Sequence, residues 1–339
     1  MTPIQVLPRR HPEETNLAPR SGHKIEFLIC GSPNDAFFSQ IAFFRLCLDH
    51  LDAVHRSARV VAVFGAEEKP NLPERWRPHF DRIEFVGADP SEFARVGYFA
   101  ASDLRFDLID RDADVSFLCD ADTALMRQLP GSFLEDSTRH PAVSGVIAHY
   151  PFPLQRQSLP ARAGSTIPMD TSPRDVWRIL GERFLGYDIP CRHNFTLLDA
   201  SPENRCAFYI NYGFVAGTPV ILTSLRDQLL GIQDEVADFL GNDFYGQVAI
   251  ALAVERGGIP SRALPMRFNY PNDREADRRY PEEILQVILM HYLRHEHFNR
   301  HTIFASSASF DQFMNLNLTG SDAAFQSHVR AVCQSRYPF

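Results

Sequence analysis

Residues 115–125 read VSFLCDADTAL. An apolar run, Val115 to Cys119, stops at Asp120-Ala121-Asp122. A short apolar run closed by a turn reads as a buried strand. Two carboxylates one residue apart at its end repel each other, and burial raises the cost of charging either. A divalent cation converts that repulsion into a ligand pair. The plain structural alternative is a cap, with Asp120 or Asp122 starting a short helix from Thr123 to Gln128.

Upstream, Ile25 to Cys30 (IEFLIC) is a second buried run, closed by Gly31-Ser32-Pro33-Asn34-Asp35. It predicts a strand, a turn and a helix capped by Asn34 or Asp35, with Phe38, Ile41, Arg45, Leu48 and Leu51 at helical spacing. Arg59 to Phe64 and Ile83 to Val86 read as strands. Asp89-Pro90-Ser91-Glu92 reads as a helix start, with Phe93, Val96, Ala100 and Leu104 as its inner face. Strands alternating with helices imply an α/β fold with a mostly parallel sheet. Ligands of such sheets sit at the carboxyl ends of strands, where Asp120 and Asp122 fall.

Downstream, Ala142 to Ala148 and Ala207 to Val215 read as strands and Asp175 to Phe184 as a helix. Tyr150 to Asp170 is Pro-rich and loop-like, and a run of that length is usually a binding loop, a lid or disordered. Ile221, Leu225, Leu229, Ile232, Val236 and Leu240 trace one long helix face. Gly241 stops it, and Asn242 or Asp243 caps the next helix. Arg267 to Glu283 reads as a charged loop, and the tail beyond 306 as helical.

The chain has 339 residues, 45% of them hydrophobic, enough for a full core. Its net charge of −8, with no Lys/Arg-rich run, argues against a nucleic-acid surface. No apolar run approaches the ~18 residues of a membrane span. Residues 1–24 are polar and Pro-rich without an apolar h-region; they are expected to be a disordered lead-in rather than a signal peptide. Six scattered cysteines with no CxxC fit reduced thiols in a cytoplasmic protein. The expected division is 1–24 lead-in, a 25–305 α/β domain and a 306–339 helical extension.

The stretch DADVSFLCDADTALMRQLP resembles the D-x-D segment of GT-A glycosyltransferases, the nucleotide-diphospho-sugar transferase superfamily. It is most similar to the glycogenin and lipopolysaccharide galactosyltransferase branch. Further segments follow in the family's order: FLICGSPND (27–35), the stretch around Ala101 to Arg105, YINYGFVA (209–216), DFYGQ (243–247) and ILMHY (288–292). After His291 the branch often carries G-x-x-K-P-W; here the sequence is HYLRHEHFNRH, with neither the Gly nor the Lys.

The resemblance implies a mostly parallel GT-A sheet flanked by helices, and a metal-dependent transferase using a nucleotide-sugar donor, with UDP the expected nucleotide. Asp122 and His291 would ligate Mn2+ or Mg2+, and Asp120 would bridge the metal and the donor ribose. Gly31, Ser32, Asp35, Arg105, Ala121, Asn211, Gly213 and Arg294 would contact the donor. Asp243 and Gln247 would act near the sugar or the acceptor, whose identity is left open. His149 and Tyr150 could line the acceptor cleft, with Trp177 as an aromatic platform, and the loops 150–172 and 267–283 would set specificity. Each has a plain structural alternative: a strand-to-helix turn at 31–35, strand packing at Asn211 and Gly213, a helix cap at Asp243, a solvent-facing Gln247, a hydrogen-bonded structural His291. His295, His297 and His301 read as a solvated face, ahead of a zinc pair formed by His291 and His295. Two other readings are a nucleotide- or sugar-binding protein on the same scaffold without catalysis, and a sugar nucleotidylyltransferase. The latter lacks a Gly-rich basic loop after the first strand.

Overall fold

A computed structural model describes residues 22–65, 71–87, 100–154, 165 and 167–339. The helix start expected at 89–92, with Phe93 and Val96, lies outside the described residues. So do most of the expected lead-in and the middle of the 150–170 loop.

The strands are β1 (Ile25–Gly31), β2 (Arg59–Phe64), β3 (Glu84–Gly87), β4 (Val115–Asp120), β5 (Thr123–Leu125), β6 (Val143–Ile147), β7 (His193–Asn194), β8 (Arg205–Cys206), β9 (Ile210–Gly217), β10 (Ser261–Ala263), β11 (Tyr270–Pro271) and β12 (Leu289–His291). Seven form the central sheet in the order β10-β6-β9-β4-β1-β2-β3. Neighbours run parallel except around β9, which is antiparallel to both β4 and β6. The expected α/β architecture, a mostly parallel sheet between helices, is the one observed. β7 and β8 form a separate two-stranded ribbon.

The apolar runs are strands because helices cover both faces of the sheet. Along β1, β2 and β4 the side chains alternate between two cores. Phe27, Ile29, Val60, Ala62, Phe117 and Cys119 face the helix Asp35–Asp49, through Phe38, Ile41 and Phe44. Leu28, Cys30, Val61, Val63 and Leu118 belong to a second core with Ala101 and Phe106, which continues under the helices Pro219–Leu230 and Tyr245–Arg256 through Leu222, Leu225, Val248 and Leu252. Burying each large apolar side chain contributes about 1.5–3 kcal/mol. Asn34 is the cap of the first helix, its Oδ1 accepting the Ala36 and Phe37 amides at 3.1 and 3.3 Å.

Two elements differ from the expectation. The face from Ile221 to Leu240 belongs to two helices, Pro219–Leu230 and Gln233–Leu240, broken at Gly231-Ile232. The apolar spacing carries through the break because Leu229, Ile232 and Val236 all join one core. Gly241 does end the second helix, in the left-handed conformation (φ 64°) that glycine adopts without strain. The charged segment 267–283 is not a plain loop: it contains β11 and the helix Arg274–Arg279, capped by Asp273. Ion pairs of Glu275 with Arg278 and Arg279, three and four residues on, support that helix.

A small second sheet, β11-β12-β5, determines where the D-x-D doublet goes. The chain leaves the main sheet at Asp120, turns through Ala121-Asp122, and enters the second sheet at Thr123. There is thus no helix from 123 to 128, and the capping alternative for the two acids fails. β5 pairs antiparallel with β12 in a register that sets Thr123 opposite His291. The tail forms the helices Ser307–Met314 and Gly320–Val332. They join the same core as β1, and Phe325 stacks on Tyr292 at 4.4 Å between ring centroids.

Candidate functional site

The turn after β4 is tied down at three backbone carbonyls, those of Cys119, Asp120 and Asp122. Arg105 donates from its NH1 to the Cys119 carbonyl (2.6 Å), the Thr123 hydroxyl to the Asp120 carbonyl (2.7 Å), and the Tyr292 amide to the Asp122 carbonyl (3.0 Å). These bonds fix both acidic side chains on one side of the turn, and the β5–β12 register carries His291 to them across 169 residues of sequence. His291 Nε2 lies 3.2 Å from Asp122 Oδ1 and 3.9 Å from Asp120 Oδ2. One ligand atom from each of the three residues falls within 4.8 Å of the others.

The other edge of the His291 ring is packed. Its Nδ1 is buried and has no hydrogen-bond partner among the described residues. A Cβ on Gly213 would lie 2.5 Å from both Nδ1 and Cε1. The absence of a side chain at 213 therefore makes room for the imidazole. Asn211 holds this part of β9 in shape: its Oδ1 accepts the Gly213 amide at 2.9 Å and the Asn269 side-chain amide at 2.8 Å.

Two guanidinium groups offset the paired negative charge. Arg105 is fully buried, with NH1 4.0 Å from Asp120 Oδ1. Arg300 binds Asp122 Oδ2. Burial alone would raise the Asp122 carboxyl, but the neighbouring His291 and Arg300 outweigh it and hold the group below the usual carboxylate range.

The doublet opens onto a cavity of about 400 Å³. Asp120, Ala121, Asp122, Asn211, His291, Asp243 and Gln247 all line it. Tyr212 and Tyr245 form its wall, Tyr245 donating to Asp103 Oδ2 at 3.1 Å. The expected cap by Asn242 or Asp243 is not the one observed: the N-cap of the Tyr245–Arg256 helix is Phe244, with no side-chain cap bond, and Asn242 Oδ1 instead accepts the Phe244 amide at 3.0 Å in the turn before it.

Other expected site residues lie elsewhere. Gly31, Ser32 and Asp35 do not line the cavity; Cys30, Phe37 and Gln40 do, from the same strand and helix. Asp35 accepts the Trp76 indole N–H at 2.6 Å and pairs with Arg75, which holds its carboxyl below the usual range. Arg294 pairs with Asp273 at 2.9 and 3.0 Å and does not line the cavity. His149 is buried and bonded through Nδ1 to the Thr196 hydroxyl at 2.8 Å, and neither it nor Tyr150 lines the cavity. Trp177 is only 1% exposed, packed against Phe152 and Tyr209, and it borders a separate apolar pocket with Phe152 and Phe195, not the cavity at the doublet.

Arg300, which carried no signal in the sequence, lines the cavity, and so does His301, which is half-buried there instead of belonging to the expected solvated face. They sit in an irregular, histidine-rich segment without periodicity. Because 292–300 is not helical, His291 and His295 do not share a helix face. His295 and His297 are exposed, and His297 Nδ1 lies 2.5 Å from Asp322.

No family model matches this chain, and no curated protein matches it. Among solved structures it is similar to the galactosyltransferase LgtC in complex with donor and acceptor sugar analogs, at 14% identity over 89% of this chain and 99% of that one, with a TM-score of 0.46. It is similar to mouse xyloside xylosyltransferase 1 in its apo form, at 9% identity over 80% and 97% of the two chains (TM-score 0.45). It is also similar to the apo-form glycosyltransferase GlyE of Streptococcus pneumoniae TIGR4, at 11% identity over 93% and 65% (TM-score 0.42). At 9–14% identity these likenesses do not carry an activity from those proteins to this chain.

Proposed function

We propose that the chain is a metal-dependent glycosyltransferase that moves a sugar from a nucleoside-diphosphate donor, UDP-linked in the first instance, to an acceptor. The observation that carries this reading is the convergence of Asp120, Asp122 and His291 on one rim of a cavity whose lining also includes Asp243 and Gln247. At about 400 Å³ the cavity is within the range of small-ligand sites.

Two carboxylates and an imidazole suit Mn2+ or Mg2+, and the nitrogen ligand favours Mn2+. Asp122 Oδ1, an Asp120 oxygen and His291 Nε2 would hold it. When bound, the ion supplies Lewis-acid stabilisation of charge on the departing nucleoside diphosphate. The chain's own part is largely positional. Gly213 and the β5–β12 register hold the imidazole against the carboxylates. Arg105 opposes charge build-up at Asp120. Asp243 and Gln247, at the head of the Tyr245–Arg256 helix, are the groups assigned to the sugar and the acceptor.

The test is UDP release from a panel of UDP-sugars with Mn2+. Release that requires the ion and is lost in Asp122→Ala supports the reading. Release that survives both EDTA and that substitution removes it.

A further inference from the structure

Among the described residues lining the cavity there are four carboxylates, Asp103, Asp120, Asp122 and Asp243, and a single arginine or lysine, Arg300. A diphosphate entering such a space meets repulsion unless a cation arrives with it. Arg300 is already engaged, because its NH1 lies on Asp122 Oδ2. The pair is largely shielded, with Arg300 25% and Asp122 13% exposed at the side chain. Asp122 presents its other oxygen, Oδ1, towards His291 and the ligand cluster. An ion ligated by Oδ1 and the guanidinium on Oδ2 would share one carboxylate at a separation of about 4–5 Å, and their like charges repel.

Resting on the metal reading above, we infer that Arg300 is an exchange partner: it neutralises Asp122 in the ion-free protein, opposes the bare ion, and turns to the diphosphate when ion and nucleotide arrive together. The residue is anchored at both its guanidinium and its backbone. NH1 also donates to the Leu293 carbonyl at 3.2 Å, Nε approaches His301 Nε2 at 3.3 Å, and the Arg300 carbonyl accepts from Gln40 Nε2 at 3.3 Å. Releasing Asp122 therefore leaves Arg300 at the cavity wall. Asp122 in turn keeps its place without Arg300, through the Tyr292 amide on its carbonyl and the pairing of β5 with β12. The consequence is strong coupling: each ligand raises the affinity for the other by the same factor. Arg300 is a donor-binding residue in this scheme, and the irregular segment that carries it is the part of the chain that departs from the G-x-x-K-P-W pattern.

The experiment is a Mn2+ titration, read by the electron-paramagnetic-resonance signal of free Mn2+, with and without UDP. It compares wild type, Arg300→Gln, Arg300→Lys and Asp122→Ala. Arg300→Gln is expected to bind Mn2+ alone about tenfold or more tightly than wild type. The enhancement of Mn2+ affinity by UDP should shrink by a similar factor. If Arg300→Gln does not fold, Arg300→Lys, a cation that cannot reproduce the planar fork, is read the same way with a smaller change. Wild-type or weaker binding of the bare ion in the foldable Arg300 variant, with binding abolished in Asp122→Ala, overturns the role of Arg300 and leaves the metal reading standing. Undiminished Mn2+ binding in Asp122→Ala overturns both.

Discussion

Replacing Gly213 with alanine tests how the imidazole is held. The new Cβ would sit 2.5 Å from His291 Cε1 and Nδ1, where ordinary contact begins at 3.4 Å. The ring or the strand must therefore yield by about 0.9 Å, close to the displacement that disables a preorganised site. The ring cannot simply retreat. It is 5% exposed, and Tyr292 beside it is stacked on Phe325. Overpacking of this kind costs about 1–3 kcal/mol of stability. Misplacing a metal-orienting group typically loses 10–100-fold in metal affinity. The assay pairs urea denaturation with Mn2+ titration in the presence of UDP. Gly246→Ala is the comparator: it lies in the same cavity wall, but its Cβ meets nothing within 4 Å. In a helix, that change should add about 0.5–1 kcal/mol. Wild-type stability and Mn2+ affinity in Gly213→Ala would refute the idea that close packing at 213 orients His291.

Two further outcomes follow from buried side chains away from the ligand cluster. Burial, helped by the charges of His291 and Arg294, pushes His149 down to about 3, so the folded protein resists its protonation while the unfolded chain takes up a proton near 6.5. Its contribution is thus intact above about 6.5 and is lost as pH falls towards 3, reaching about 3 kcal/mol by pH 4; His149→Gln should flatten that part of the pH–stability curve measured by denaturant titration on the metal-free protein. Trp177→Ala, which opens a cavity between Phe152 and Tyr209, should cost about 3–5 kcal/mol in urea unfolding, and a loss under 1 kcal/mol would mean the ring is not part of the core.

The sheet was legible because IEFLIC, RVVAVF and VSFLC are short, continuous apolar runs rich in β-branched and aromatic residues, the pattern of strands buried on both faces. The doublet's position at a strand end followed directly. The partnership with His291 entered through the family resemblance, since a distance of 169 residues is bridged by a three-residue register between β5 and β12 that leaves no periodic trace. Helical spacing misled between Leu230 and Gln233, where two helices present one continuous apolar face and only Gly231 hints at the break. Asp35 and Arg294 were assigned to the donor by motif position, and the partners each holds in the structure, Trp76 and Arg75 for Asp35 and Asp273 for Arg294, left no trace in the sequence. Arg300 was invisible for the opposite reason: its role depends on where an irregular segment folds back, and polar residues in such a segment look alike in sequence.

The most direct measurement is the anomalous diffraction of manganese in a crystal soaked with Mn2+ and UDP. The expected result is a manganese peak within coordination distance of Asp120, Asp122 and His291 Nε2, together with the diphosphate. A soaked crystal with no peak there, and Asp122 still held by Arg300 and His291 alone, would contradict it.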